Sequence, residues 1–123
     1  MSHRVLVADP NDAMRAKVRS LIEKAGWEVV GEAADGQECI EKVNLLAPDL
    51  VIFDLSMPVK NAIQAAAEIR KLKPSTKLVV FTIHDSDVVR EEVLRSGIDG
   101  FAAKSAPSAQ LISEAARLLG GPV

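Results

Sequence analysis

Short apolar runs alternate five times with longer stretches of helical spacing, and this constrains the chain more than any other feature. The runs are 4–8 (RVLVA), 28–33 (EVVGEA), 50–53 (LVIF), 78–82 (LVVFT) and 100–103 (GFAA). Rich in Val and bounded by turn residues, they read as strands. Between them, Met14, Val18, Leu21 and Ile22, then Ile40, Val43 and Leu46 or Ala47, recur at the spacing of one helix face. Further helical patterns cover roughly 62–72, 86–96 and 108–119, and Gly26, Gly97 and Gly120 stand where helices tend to stop.

Three of the strands are apolar on both faces, as a parallel sheet covered by helices on each side demands. Crossover handedness then favours an α/β, doubly wound, flavodoxin-like sheet with five helices and strand order 2-1-3-4-5. The 123 residues suit one folded unit, expected over 1–119, with 120–123 as a tail or the start of a linker. Aromatic residues are only 3% of the chain, so the core must come mainly from Val, Leu, Ile and Ala. A net charge of -2 offers no basic footprint for a nucleic-acid backbone. The apolar runs fall far short of the ~20 residues a membrane span needs, and a cytoplasmic protein is expected. Cys39 has no second cysteine to pair with and reads as a small, semi-buried hydrophobe.

In an open parallel sheet, ligands bind outside the carboxyl ends of the strands. Asp9, Asp54 and Thr82 end the first, third and fourth strands, and Lys104 follows the fifth. Each alone has an ordinary explanation as a turn former, helix cap or surface lysine. Together they form a chemical set. Paired carboxylates repel unless a hard divalent cation such as Mg²⁺ relieves them. A carboxylate can also attack phosphorus, and an ammonium and a hydroxyl can hold the incoming phosphoryl oxygens.

The segment DLVIFDLSMP at 49–58, together with VVFTIHDSD and GFAAKSA, resembles the phosphorylation-site, fourth and fifth strands of response-regulator receiver domains of the CheY-like superfamily. The features after Thr82 and Phe101 are most similar to receivers of the NarL or LuxR class. The resemblance implies Asp54 as phosphoacceptor, Thr82 as switch hydroxyl, Lys104 as the family's lysine and Phe101 as the aromatic switch. It implies Mg²⁺ held by Asp9, Asp54 and the Ser56 carbonyl. It also implies a sensor histidine kinase as partner, with an output domain, an effector protein or a second copy of the chain as further candidates. Such a receiver is no conventional enzyme, but it catalyses its own phosphorylation and a slow dephosphorylation.

The chain departs from the family in several places. Pro10 stands where receivers carry a second acid, and proline offers neither a side-chain oxygen nor an N–H. Asp12 reads as a helix N-terminal acid rather than a replacement ligand. The loop Val59-Lys60-Asn61-Ala62 lacks the family's glycine, so either its shape differs or Asn61 supplies a left-handed residue. Ser105 follows Lys104 where a cis proline is common, and a trans bond is expected. His84 reads as a solvated loop residue that could border the pocket, Trp27 as a packing residue, and Arg15, Lys17, Arg19 and Lys24 as a solvated face.

Two other readings compete with the phosphoswitch. A pseudo-receiver would keep the fold as a phosphorylation-independent interaction module. A flavin carrier would need a donor-rich loop after the first strand, and Asp9-Pro10-Asn11-Asp12 has the wrong sign for one. The count of carboxylates gives a test. Pro10→Asp is expected to raise Mg²⁺ affinity measured by calorimetry, and an unchanged affinity would mean that Pro10 does not occupy the second acid's position.

Overall fold

The computed structural model describes residues 3–120. Its elements alternate as expected: β1 (Arg4–Ala8), α1 (Asp12–Lys24), β2 (Glu28–Ala33), α2 (Gly36–Leu46), β3 (Leu50–Phe53), α3 (Ala62–Leu72), β4 (Lys77–Thr82), α4 (Asp87–Arg95), β5 (Gly100–Ala103) and α5 (Ser108–Leu118). The strands form one sheet in the order β2-β1-β3-β4-β5 with every pairing parallel. This is the flavodoxin-like arrangement the alternation predicts. No described helix is long and apolar enough to cross a membrane.

Because side chains alternate across a strand, the central strands feed two cores. Leu6, Ala8, Val51, Phe53, Leu78 and Val80 meet Cys39, Ile40 and Val43 of α2, Ala65 and Ile69 of α3 and Val93 of α4 on one face. Val5, Val7, Leu50, Ile52, Val79 and Phe81 meet Val18 and Ile22 of α1 and Leu111 and Ala115 of α5 on the other. Every residue of β3 is buried, whereas β2, at the sheet edge, is only partly so. Trp27 packs into the second core, as a structural residue should. Cys39 lies deeper than a semi-buried hydrophobe, at 0% exposure, and burial pushes its thiol pKa up to about 12. It is therefore unreactive as a thiolate near neutrality.

Helix ends follow local chemistry. Asn11, Asp35, Asn61 and Ser86 each cap a helix by accepting a backbone N–H on the side chain. The loop after β3 takes the other shape allowed by the sequence. Val59, not Asn61, holds the positive φ, at 68°, while Asn61 at φ -76° makes a capping box with Gln64. That loop is pressed against α2, where a Cβ on Gly36 would stand 2.0 Å from the Lys60 carbonyl oxygen. Gly36 is what lets the two backbones touch. Of the expected tail, residues 121–123 lie outside the described residues.

Arg70 ties the end of α3 to the start of β4 and the approach to β5. Its guanidinium donates to the Thr76 carbonyl at 2.6 Å, to the Gly97 carbonyl at 3.1 Å and to the Asp99 carboxylate. The same Asp99 oxygen accepts the Leu78 N–H at 2.8 Å. Removing the guanidinium strands a half-buried carboxylate and two carbonyls. Arg70→Ala is expected to lose about 2–3 kcal/mol in urea denaturation, with the exposed Lys71→Ala within about 0.5 kcal/mol of wild type.

Candidate functional site

The parallel ladder continues one residue past the strand ends, and this positions the pocket. Asp9 N–H donates to the Ala33 carbonyl at 2.9 Å, Asp54 N–H to the Ala8 carbonyl at 3.0 Å and Lys104 N–H to the Thr82 carbonyl at 2.8 Å. Asp9, Asp54, Thr82 and Lys104 are thus drawn to one edge of the sheet. The peptide bond after Lys104 is trans, as expected for a serine at 105. Ser105 donates its hydroxyl to Asp85, tying the loop after β5 to the loop after β4.

Lys104 reaches into the pocket between the two acids. Its Nζ lies 2.7 Å from Asp9 Oδ2 and 3.7 Å from Asp54 Oδ2, with side-chain exposures of 10%, 5% and 14% for Lys104, Asp9 and Asp54. The second Asp9 oxygen, Oδ1, accepts the Asn11 N–H at 2.8 Å. Arg15 reaches back from α1 to donate to the Asp9 carbonyl at 2.7 Å and also pairs with Asp12 and Glu32. Arg15 therefore does not belong to a solvated face, and Lys17, though exposed, borders the cavity beside Asp9 and Asp54. Asp12, with its side chain 91% exposed, caps the charge of α1 and stays out of the pocket.

Burial holds the Asp54 carboxyl above the usual carboxylate range. Lys104 is the largest opposing influence, Asp9 adds to the rise, and hydrogen bonds from the Thr82 hydroxyl and the Leu55 N–H pull the other way. Thr82 itself is fully buried. Asp9, Asp54, Ser56, His84 and Lys104 line one open cavity of about 460 Å³, with Pro10, Met14 and Ile83 as an apolar rim. His84 is exposed yet does border the cavity, its Nε2 lying 3.5 Å from Ser56 Oγ.

Phe101 is not part of the cavity wall. Its ring is buried in the core that α4 covers, the Arg90 guanidinium carbon lies 4.9 Å from the ring centroid, and the Phe101 N–H donates to Glu114. The contributions of Asn11, Arg15 and Arg90 were not legible in the sequence. Each depends on where a long or backbone group reaches in three dimensions.

Residues 5–116 match the response regulator receiver domain. The chain belongs to this family, that of two-component signalling systems. It is 38% identical to the chemotaxis protein CheY of Thermotoga maritima over 104 residues, covering 85% of this chain and 87% of that protein. A LuxR-family two-component response regulator from Aurantimonas superposes with a TM-score of 0.90 at 30% identity, covering 98% of this chain and 88% of the other. The signal receiver domain named for NarL in Mycobacterium tuberculosis superposes with a TM-score of 0.91 at 27% identity, covering 98% of both chains. The likeness to NarL- and LuxR-type receivers read from the loops after β4 and β5 therefore extends over the whole fold.

The raised Asp54 pKa has a consequence for stability. The folded chain binds the Asp54 proton more tightly than the unfolded chain does, so ionising this carboxyl costs stability. The cost is present at neutral pH and disappears as pH falls through the folded pKa. Asp54→Asn, which cannot ionise, is expected to have a higher Tm than wild type at pH 7, with the gap closing in acid. A gap that widens in acid would contradict the assignment of burial as the dominant influence.

Proposed function

We propose that this receiver domain is a phosphorylation switch in which Asp54 accepts a phosphoryl group from a phosphohistidine of a sensor kinase. The observation that carries this reading is the Lys104 ammonium 3.7 Å from a half-buried Asp54 carboxylate, with the Thr82 hydroxyl on the same carboxylate. An Asp54 oxygen attacks phosphorus, the new P–O bond forms as the P–N bond to the kinase imidazole breaks, and the leaving imidazole takes up a proton. Lys104 neutralises charge on the transferring group while the Thr82 hydroxyl, whose oxygen also accepts the His84 N–H at 3.2 Å, turns its proton from the carboxylate to a phosphoryl oxygen.

Receiver domains generally bind Mg²⁺, and the donors here fit a hard cation in kind. Two carboxylates and the Ser56 residue line one cavity, and every candidate donor atom is oxygen. Asp54 and the Ser56 carbonyl would hold the ion, with Asp9 on the same cavity wall, and the ion would supply positive charge for the transferring phosphoryl oxygens. The set is short by one carboxylate, because the exposed Pro10 has no side-chain oxygen. Weak binding follows from that count.

Signalling would proceed from Thr82 to Phe101 on the neighbouring strand. The pairing of β4 with β5 places Thr82 opposite Ala103 and Val80 opposite Phe101. A shift of the Thr82 hydroxyl toward the phosphoryl group changes the packing under α4, where Arg90 covers the ring. An output domain, an effector or a second copy would read that surface, and the proposed setting is the cytoplasm with the kinase that acts on it.

Acetyl phosphate with Mg²⁺ is expected to add one phosphoryl mass to the wild type, labile to hydroxylamine as an acyl phosphate is. Asp54→Asn is expected to abolish the adduct while remaining folded. No adduct on wild type at high Mg²⁺ would sink this reading and leave an interaction module that works without phosphorylation.

A further inference from the structure

Asp9 has both carboxylate oxygens engaged. Oδ1 accepts the Asn11 N–H at 2.8 Å and Oδ2 accepts the Lys104 ammonium at 2.7 Å, a full ångström closer than Lys104 comes to Asp54. The ion pair is among the most enclosed charge contacts described, with side-chain exposures of 10% and 5%. Its surroundings fix it further. The Arg15 guanidinium holds the Asp9 carbonyl at 2.7 Å, and the Lys104 ammonium lies 5.9 Å from the centroid of the Phe81 ring. Pro10 beside it brings no second carboxylate to draw the ammonium away or to share a cation with Asp9.

We propose that in this chain Asp9 is a positioning residue for Lys104 and not a ligand of the metal. The two form a neutral buried unit that aims the ammonium at Asp54. Asp54, which Lys104 meets only at 3.7 Å, is then the carboxylate left open to a cation, and a divalent ion would meet Asp54 and the Ser56 carbonyl without opening the Asp9–Lys104 pair. Loss of the second acid and retention of the first are explained together, since the first serves the lysine. This deepens the phosphoacceptor reading and rests on it, because the aim of Lys104 matters only if Asp54 receives the phosphoryl group.

The test is lysine-selective ¹H–¹⁵N NMR of ammonium groups on the whole chain, with and without Mg²⁺, in wild type, Asp9→Asn, Asp54→Asn and Lys104→Met. Exposed ammonium groups exchange their protons too fast to be seen, while a buried ion pair retains them. One slowly exchanging signal is expected in wild type, absent from Lys104→Met, unchanged by Mg²⁺, kept in Asp54→Asn and lost in Asp9→Asn. Its disappearance on adding Mg²⁺ would overturn the proposal, because the metal would then have taken Asp9. So would its absence from wild type, or its loss in Asp54→Asn. The wild-type arms need no variant, so a poorly folded Asp9→Asn leaves the proposal open to refutation.

Rates of phosphoryl uptake from acetyl phosphate give a readout that a merely structural role would not reproduce. Asp9→Asn and Lys104→Met are each expected to slow uptake roughly tenfold or more, with the double variant no slower than the slower single. Multiplying losses would mean that Asp9 acts independently of Lys104 and would overturn the proposal. Failure of the phosphoacceptor reading looks different: wild type gives no adduct at all while the ammonium signal behaves as described.

Discussion

The site depends on a parallel hydrogen-bond ladder that does not stop where the strands do. One further bond at the end of each of three strand pairings, from Asp9 to Ala33, from Asp54 to Ala8 and from Lys104 to Thr82, sets the positions of the charged residues. These bonds are backbone bonds, so they fix where each Cα stands whatever its side chain. A register slip of one residue would turn each functional side chain to the opposite face of the sheet. A slip would also exchange the side chains of the two cores, setting Leu6, Val51, Phe53 and Val80 against α1 and α5 and Val5, Leu50, Ile52 and Val79 against α2 and α3, and close packing of different shapes opposes that.

Placing charges at the end of such a ladder has an energetic cost that the pocket offsets by pairing. Breaking a buried pair by removing one partner typically costs about 3–5 kcal/mol. Lys104 is held by two acids and Asp9 by both an ammonium and a backbone N–H. Asp54 is the exception, since burial outweighs the help of Lys104, Thr82 and Leu55. A carboxylate left less stable than it would be in water is one that a reaction or a ligand can relieve. Its neighbours show the same division of labour on a larger scale. Arg70 and Asp99 stitch the opposite end of the sheet, where nothing need move, while α4 buries only Val93 of its own residues and relies on Arg90 over Phe101.

The sequence made the architecture legible because period and length both spoke for it. Strands such as Leu50–Phe53 are too short and too uniformly apolar to be surface helices, and their placement between amphipathic stretches leaves a covered parallel sheet as the consistent solution. Asp9, Asp54, Thr82 and Lys104 were legible for a related reason, since the fold itself gathers strand ends to one edge. The missing signals were those of reach. Nothing in the spacing of Arg15 shows that its guanidinium returns to the Asp9 carbonyl, nor that the Arg90 side chain lies on Phe101. The loop after β3 was ambiguous because Asn61 can serve either as a left-handed residue or as a helix cap. It is a cap, and Val59 bears the positive φ in a loop whose Lys60 carbonyl lies against Gly36. Cys39 lies deeper than a lone small hydrophobe need lie, because the face it shares with Ile40 and Val43 is the one α2 buries.

The central claim is that Asp54 is the atom-bearing residue of phosphoryl transfer, and the most direct measurement locates the bond itself. Borohydride reduces an acyl phosphate to an alcohol, so an aspartyl phosphate becomes homoserine in the chain. Tandem mass spectrometry of peptides from phosphodonor-treated, borohydride-reduced protein is expected to place homoserine at position 54 and at no other acid. Homoserine at Asp9, Asp12 or Asp85, or its absence from every position after an added phosphoryl mass had been seen, would contradict the account.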